Sequence, residues 1–326
     1  MVPGPSDWNL WINRLRTQAG TPGLRSVDPR SQGPRTERPR TEGPRTEGPR
    51  TEGPRTRDPG TRDPMTRVVS ALVLLSVVIG TIWLLPPVAT VVLAAIAAVL
   101  AFIEYADLAA ALGARVPRVL TGAAVVAACL AVGSTSADVE VVLMSAMIAV
   151  AAVAVAGGKP SDAALRDVSA SILPLIYIGL ALGSLAAVRV AGGREAVMLL
   201  LVTIVASDSG QYYTGRALGR RPLAPSISPK KTVEGAIGGV VLGTTAMTLG
   251  GARLFPAASL ATLILAAIAI VVLGIVGDLF ESLLKRSAGV KDSSALIPGH
   301  GGVLDRIDSW LFAGPVYYVF IRYLQV

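Results

Sequence analysis

Beyond residue 67 the chain is a series of long apolar stretches broken by short polar ones, and nothing else in it constrains the fold as strongly. A membrane-crossing helix needs about 20 predominantly apolar residues. Nine segments approach that length, at 68–85, 87–103, 119–133, 138–157, 170–188, 196–214, 236–250, 257–280 and 310–326. Pro86-Pro87 separates the first two, because proline breaks a helix and restricts the residue before it. Segments 119–133 and 236–250 are short for a full crossing. Hydrophobic residues make up 52% of the chain and aromatics only 5%, so the runs are mostly Ala, Val, Leu and Gly, which let helix backbones approach closely in lipid. The expected fold class is all-α: a polytopic transmembrane helical bundle of about nine spans over 68–326, preceded by a tail.

Residues 1–67 form that tail. From Pro34 to Pro59 it repeats P-R-T-E-G with small variations and holds no apolar residue. Such a segment cannot bury enough surface to offset its ordering entropy and reads as disordered. Trp8, Trp11, Ile12 and Leu15 fall at helical spacing after Ser6 or Asp7. That fits a short interfacial helix over 7–16, with Arg14 and Arg16 at the headgroups. A floppy terminus with chance spacing is the plainer reading, since so short a helix is marginal in isolation. Much of the formal charge of +8 sits in the tail, with thirteen arginines against eight acids, and no nucleic-acid partner is expected. Met65, just before the first apolar run, is a second candidate start. Cys129 is the only cysteine, so there is no intrachain disulfide, and His300 is the only histidine, which argues against a multi-histidine metal site.

Lys and Arg concentrate in cytoplasmic connections. Counting nine spans from an arginine-rich cytoplasmic tail puts 104–118, 157–169, 215–235 and 281–309 inside. The last two are strongly basic, and two apolar segments separate them, so they share a side. The 134–140 connection, with Asp138 and Glu140, falls outside. So does 189–195, although it carries Arg189 and Arg194.

Polar residues are costly in a membrane, so their clustering is informative. Asp208, in the stretch Ser207–Tyr213, follows an apolar run from Ala196 and needs a partner, a cation or water; an interfacial residue already in the headgroup region is the plainer reading. A second cluster, Ser226–Gly235, offers Ser228, Lys230, Lys231 and Thr232 just before a helix start, a plausible phosphate site; juxtamembrane lysines obeying the positive-inside rule are the plainer reading. The third cluster is the densest. Asp278, Ser282 and Lys285 share a helix face, Asp305 and Asp308 share another, and a Pro-Gly-His-Gly-Gly turn lets the chain fold back to bring Asp305 towards Asp278. Carboxylates that converge without His or Cys suit hard cations such as Mg²⁺. Glu281 and Lys285 are equally well read as an i,i+4 salt bridge.

The string S-L-L-K-R-S-A-G-V-K-D-S-S-A-L-I-P-G-H-G-G-V-L-D-R-I-D, from Ser282 to Asp308, resembles the signature of the phosphatidate cytidylyltransferases, the CDP-diacylglycerol synthases. The D-S-G-x-Y element at Asp208–Tyr212 and the S-P-K-K-T-x-E-G element at Ser228–Gly235 resemble that family too, in the same order. The resemblance covers roughly 68–326; Ser207 and Gln211 are mild departures. It implies attack of a phosphatidate phosphate oxygen on the α-phosphorus of CTP, with release of pyrophosphate and a requirement for Mg²⁺, a second cation being left open. It implies Asp278 and Asp305 as metal ligands, with Asp308, Asp292 and Asp208 as further metal or nucleotide contacts. It implies Lys230, Lys231, Lys285 and Arg286 as phosphate holders, with Lys285 and Arg286 grouped with the catalytic aspartates. Ser228, Thr232, Ser282, Lys291, His300 and Arg306 complete the substrate-binding set. A bacterial-type plasma (inner) membrane, lipid-embedded and with cytoplasmic active-site loops, is the implied location, and a homodimer is left open.

A CTP-dependent lipid kinase and an archaeal-type lipid cytidylyltransferase fit the Gly-His string less well. A CDP-alcohol phosphotransferase needs a longer motif than the Gly274–Asp278 fragment. A transporter would place its polar groups near the midplane. Since the repeat tail has no core to contribute, a chain beginning at Met65 is expected to insert and turn over substrate like the full chain. Loss of activity in an inserted truncation, measured at matched protein, would show that the tail matters.

Overall fold

The computed structural model describes residues 64–134, 138–157, 160–297, 299 and 301–324. The repeat tail, the helix read over 7–16 and His300 lie outside them. Helices α1 (Pro64–Leu84) and α2 (Pro87–Ala111) are split at Pro86-Pro87, and Pro87 takes the first helical position, where a missing N–H costs nothing. Gly113 ends α2 with φ +78°, and the Ala114 N–H returns to the Ala109 carbonyl. Next come α3 (Arg118–Ser134) and α4 (Val139–Ala156). Then α5 (Ala164–Pro174), a π-helical turn (Leu175–Leu180) and α6 (Ala181–Leu218) form one helical run of 55 residues. The last three helices are α7 (Val233–Leu254), α8 (Leu260–Ser287) and α9 (Leu304–Leu324).

The π turn has a local cause. Pro174 has no N–H for the carbonyl of Ala170 and crowds the preceding turn, so the helix widens there. The freed Ala170 carbonyl accepts from the Tyr105 hydroxyl of α2 at 2.9 Å.

A straight run of that length would be about 80 Å long, far beyond a hydrocarbon core of about 30 Å. It breaks at Gly193, whose φ of 79° and ψ of −179° suit glycine alone. The chain reverses there, as its neighbours show. Before the break, Leu185 lies against Gly314 and Gly192 against Ile321, so this half runs parallel to α9. After it, Leu199 lies against Gly250 and Gly210 against Gly238, antiparallel to α7. Helix α8 is antiparallel to both α7 and α9, through Leu263 on Gly251 and Gly277 on Asp308. The two halves of α6 therefore oppose each other; the fifth apolar segment runs from the end of α5 through the π turn into the first half, and the sixth lies in the second. Arg194, just past the reversal, stacks over Trp83 at 4.7 Å and pairs with Glu195 at 3.0 Å.

Two apolar clusters hold the bundle. One joins α2, α3, the π turn and early α6 through Phe102, Val125, Ile178 and Leu182. The other joins late α6, α7, α8 and α9 through Leu200, Met247, Ile270 and Tyr317. Gly179 and Gly183 press on the backbone of α3 so closely that an added methyl would stand 2.7 Å from the Val125 oxygen and 2.6 Å from that of Cys129. This is the small-residue packing expected in lipid.

Five helical stretches are long and apolar enough to cross a membrane: α2, α4, the α5–α6 run, α7 and α8; the apolar parts of α1 and α3 are shorter. The chain is thus an all-α, multi-pass membrane protein. The 215–235 connection adds an antiparallel hairpin, β1 (Pro222–Ala224) and β2 (Ser228–Thr232), pairing Pro222 with Thr232 and Ala224 with Ser228. The all-α expectation missed it because its prolines, serines and lysines carry no alternating apolar pattern.

The bundle has two ends, which single cysteines can distinguish. Ser226 and Ala295 are exposed at the hairpin end, and Ala257 is exposed in the opposite α7–α8 turn, whereas native Cys129 is fully buried. Ser226→Cys and Ala295→Cys should react with an impermeant thiol reagent from one side of a sealed vesicle, and Ala257→Cys from the other. Labelling of the first two from opposite sides would break the arrangement.

Candidate active site

At one end of the bundle the three polar clusters come together. Helix α8 continues past its apolar stretch to Ser287, carrying Asp278, Ser282 and Lys285 beyond it on one face. The Ile227 carbonyl in the hairpin turn accepts from Arg286 Nε at 3.4 Å, so the hairpin lies against the end of α8. Arg286 also donates to the Val290 carbonyl at 3.1 Å, and its guanidinium fastens backbone on two sides. Glu234 braces the base of the hairpin. Its carboxylate accepts from the Arg220 and Arg221 N–H groups at 3.0 and 3.2 Å and pairs with the Arg221 guanidinium. Thr232 caps α7, accepting from the Gly235 N–H at 3.1 Å.

Between hairpin and helices lies a cavity of about 520 Å³. Asp208, Ser228, Lys230, Lys231, Thr232 and Asp278 line it, together with Tyr212 and Arg216. Lys231 is ion-paired with Asp278, and Gln211 donates to Asp208 at 3.1 Å. Arg216 donates to the Tyr212 hydroxyl at 3.0 Å. Asp308, in the first turn of α9, borders this group. Burial first and the charge of Asp278 second hold its carboxyl well above the usual carboxylate range, while Lys231 draws it down.

Asp305 does not line this cavity. Its Oδ2 accepts from the Ser293 N–H at 3.0 Å, the Ser293 hydroxyl at 2.9 Å and the Gly302 N–H at 2.8 Å. Its Oδ1 accepts from Lys285 Nζ at 2.5 Å. Burial pushes this carboxyl up, but Lys285 and the Gly302 N–H outweigh it and hold it at about 2. Lys285 is shared with Glu281, which is fully buried, so the i,i+4 pair is present as one arm of a three-charge cluster. Lys291, Asp292 and Arg306 are exposed on the connection and its exit, and Ser282 is half-buried one turn from Asp278.

Sequence reasoning passed over Glu104. The second apolar segment ends at residue 103 in the sequence, which puts Glu104 in the connection that follows. The helix instead continues to Ala111, and Glu104 is 3% exposed. Its oxygens accept from Ser293 Oγ at 2.9 Å, Ser294 Oγ at 2.7 Å, and the Val303 and Leu304 N–H groups at 2.8 Å each. The signal was available: a carboxylate next to an unbroken apolar helix needs donors, and the serine- and glycine-rich signature segment supplies them.

No group of three or more Asp, Glu, His or Cys side chains is arranged to hold a metal ion among the described residues. The donor set still suits a hard cation. Asp278 and Asp305 each carry an ammonium group on one carboxylate, the charge compensation that a divalent ion would otherwise supply.

Fold and site together define a membrane-embedded helical protein with a lysine- and carboxylate-lined cavity at one end of its bundle, the equipment for handling phosphate groups. A model of the cytidylyltransferase family matches residues 65–324, and the chain belongs to that family. It is 39% identical over 188 residues to the phosphatidate cytidylyltransferase of Helicobacter pylori, covering 58% of this chain and 67% of that one. It is 41% identical over 148 residues to the Bacillus subtilis protein of that name, covering 45% of this chain and 55% of that one. For the Mycobacterium leprae protein the figures are 40% over 156 residues, 47% and 49%. The matched segments thus span about half to two thirds of these relatives.

The two aspartates should respond differently to neutralisation. Asp305→Asn turns an amide NH₂ or a weaker acceptor towards N–H donors and strips Lys285 of a buried partner. It should lower unfolding stability by about 3 kcal/mol. Asp278→Asn, beside a half-exposed lysine, should shift it by less than about 1 kcal/mol. Thermal unfolding of both variants in the same detergent checks this.

Proposed function

We propose that the chain transfers a cytidylyl group from CTP to phosphatidate, giving CDP-diacylglycerol and pyrophosphate. The Lys231–Asp278 pair on the wall of the 520 Å³ cavity is the observation that carries this reading. It joins a phosphate-binding cation on the hairpin to a metal-binding carboxylate on α8, where a nucleotide and a lipid headgroup can both arrive. The family match and the names of the relatives point to the same reaction.

In this reading Lys230, Lys231 and the α7 N-terminus receive the triphosphate, with the helix dipole favouring anionic charge there. A phosphatidate phosphate oxygen attacks the α-phosphorus in line, the bond to the β-phosphate oxygen breaks, and pyrophosphate leaves with both electrons of that bond. Phosphatidate is already an anion, so no base has to remove a proton from it. Asp278, with Asp308 beside it, would hold Mg²⁺ at the cavity, and Asp305 would join them through Oδ1 by releasing Lys285 to Glu281. Bound there, it would neutralise charge on the attacking and leaving oxygens. Lys231 is free to exchange its carboxylate for phosphate, because its stem is flexible and its charge is a point. Lys285, between Glu281 and Asp305, orients carboxylate oxygens rather than reaching into the cavity.

The apolar helices cross about nine times, with the hairpin and the signature segment in the cytoplasm of a bacterial-type plasma membrane, where CTP is made. Every residue used here comes from one chain, so the reaction as drawn requires no homodimer.

Purified protein with CTP, phosphatidate and Mg²⁺ should release pyrophosphate. Asp278→Asn should release it at least about a hundredfold more slowly at matched protein, because loss of a metal-held charge costs several kcal/mol and about 1.4 kcal/mol is a factor of ten. Near-normal turnover of that variant at low Mg²⁺ would place the metal site elsewhere. Absence of pyrophosphate from the parent protein would overturn the reaction itself.

A further inference from the structure

A carboxylate inside an apolar helix is expensive, and shape alone would be served as well by an apolar side chain. What Glu104 adds is acceptor capacity. All four of its donors come from a segment 189 to 200 residues away, and they fall on both sides of the turn that carries the Gly-His-Gly-Gly sequence: Ser293 and Ser294 before it, Val303 and Leu304 after it. The two later donors are N–H groups at the open N-terminal end of α9, so Glu104 caps a helix that is not its own. Asp305 stands on the first turn of that helix.

The two carboxylates meet at one hydroxyl. Ser293 Oγ lies 2.9 Å from Glu104 Oε2 and 2.9 Å from Asp305 Oδ2, and its single proton serves one of them at a time. Gly302 packs into the same point. A methyl group there would stand 2.1 Å from Ser293 Oγ and 2.4 Å from Glu104 Oε2, so no side chain fits between them. Oδ2 of Asp305 is thereby tied to the loop that Glu104 holds, while Oδ1 is left to Lys285.

From this geometry we infer that Glu104 is a positioning residue for the reaction. Acting through Ser293 and the N-terminus of α9, it fixes which oxygen of Asp305 faces Lys285 and the reacting groups. The inference rests on the reaction proposed above and assigns Glu104 no contact with substrate. Gln at this position keeps the size but turns an NH₂ group towards one backbone N–H donor and one serine hydroxyl. Asp keeps the charge on a shorter stem.

Full-length protein, folded fraction matched, provides the test in two independent arms. In hydrogen exchange, Glu104→Gln should speed exchange over 292–305 and leave α7 and α8 unchanged. In turnover, it should lower kcat for pyrophosphate release by about tenfold or more, while KM for CTP moves less than about threefold, because Lys230 and Lys231 are untouched. Glu104→Asp should recover part of kcat. Ser293→Ala should cost less than Glu104→Gln, and the double variant should be no worse than Glu104→Gln alone, since both act through one hydroxyl. Unchanged exchange over 292–305, a kcat within about twofold of the parent, or additive losses in the double variant would each overturn the inference. If the parent itself releases no pyrophosphate, the proposed reaction falls, and the exchange arm still decides whether Glu104 holds the loop.

Discussion

A charge carried into a bilayer has to be answered by the chain itself, and that constraint organises the working end of this protein. Lys285 is answered by Glu281 and Asp305, Lys231 by Asp278, and Glu104 by two hydroxyls and two backbone N–H groups. Each of these contacts links different elements or spans a turn of helix. Satisfying the charges therefore also fastens the ends of α2, α8 and α9 to one another and to the hairpin. Most of the bundle below is held by small-residue contact and apolar packing, which set distances between helices but do little to place individual atoms. The polar end adds that precision.

The two lysine–carboxylate arrangements are unequal in a way that matters for chemistry. Lys285 is enclosed, with two carboxylates on one ammonium, so it is locked. Lys231 faces a cavity with one partner and a flexible stem. A rigid group suits orientation, and a mobile one suits an arriving phosphate. Arg286 shows the same division. Its guanidinium reaches the Ile227 and Val290 carbonyls through Nε and Nη1, which seats the hairpin against α8.

Much of this was legible in the sequence because membrane helices write themselves in long apolar runs. Among the described residues, each of the nine segments is mostly helical, and the reversal between the fifth and sixth sits at Gly193, within the 189–195 connection read from the apolar pattern. The i,i+4 pair of Glu281 and Lys285 follows from helix geometry alone. Other features depend on contacts that local pattern does not encode. Nothing local marks Glu104 as a structural acceptor, because its donors lie some 190 residues away. The hairpin was missed because it is polar on both faces. Asp278 lines the cavity, and Asp305 has one oxygen committed to Ser293 and Gly302, a division of labour that the expected convergence of the two across the turn did not specify. A glycine-rich turn shows that the chain can fold back, but not which oxygen of which carboxylate the returning backbone will occupy.

The site's location at the end of the bundle follows from the same physics. A midplane site, as in a transporter, needs broken helices to present polar backbone in the hydrocarbon. Here the one sharp break among the described spans, at Gly193, lies at the opposite end from the carboxylates. The helices that carry Asp208, Asp278 and Asp308 remain continuous through those residues. Charge is thus kept where water and headgroups can reach it. In the proposed reaction, a substrate with an ionic head and acyl tails would need no path through the bundle, because its head would meet the cavity while its tails stayed in the lipid. A soluble nucleotide would meet the same cavity from the aqueous side. An end-on site bounded by a hairpin and a tightly held turn is therefore the simplest place where a lipid phosphate and a nucleotide can be brought together.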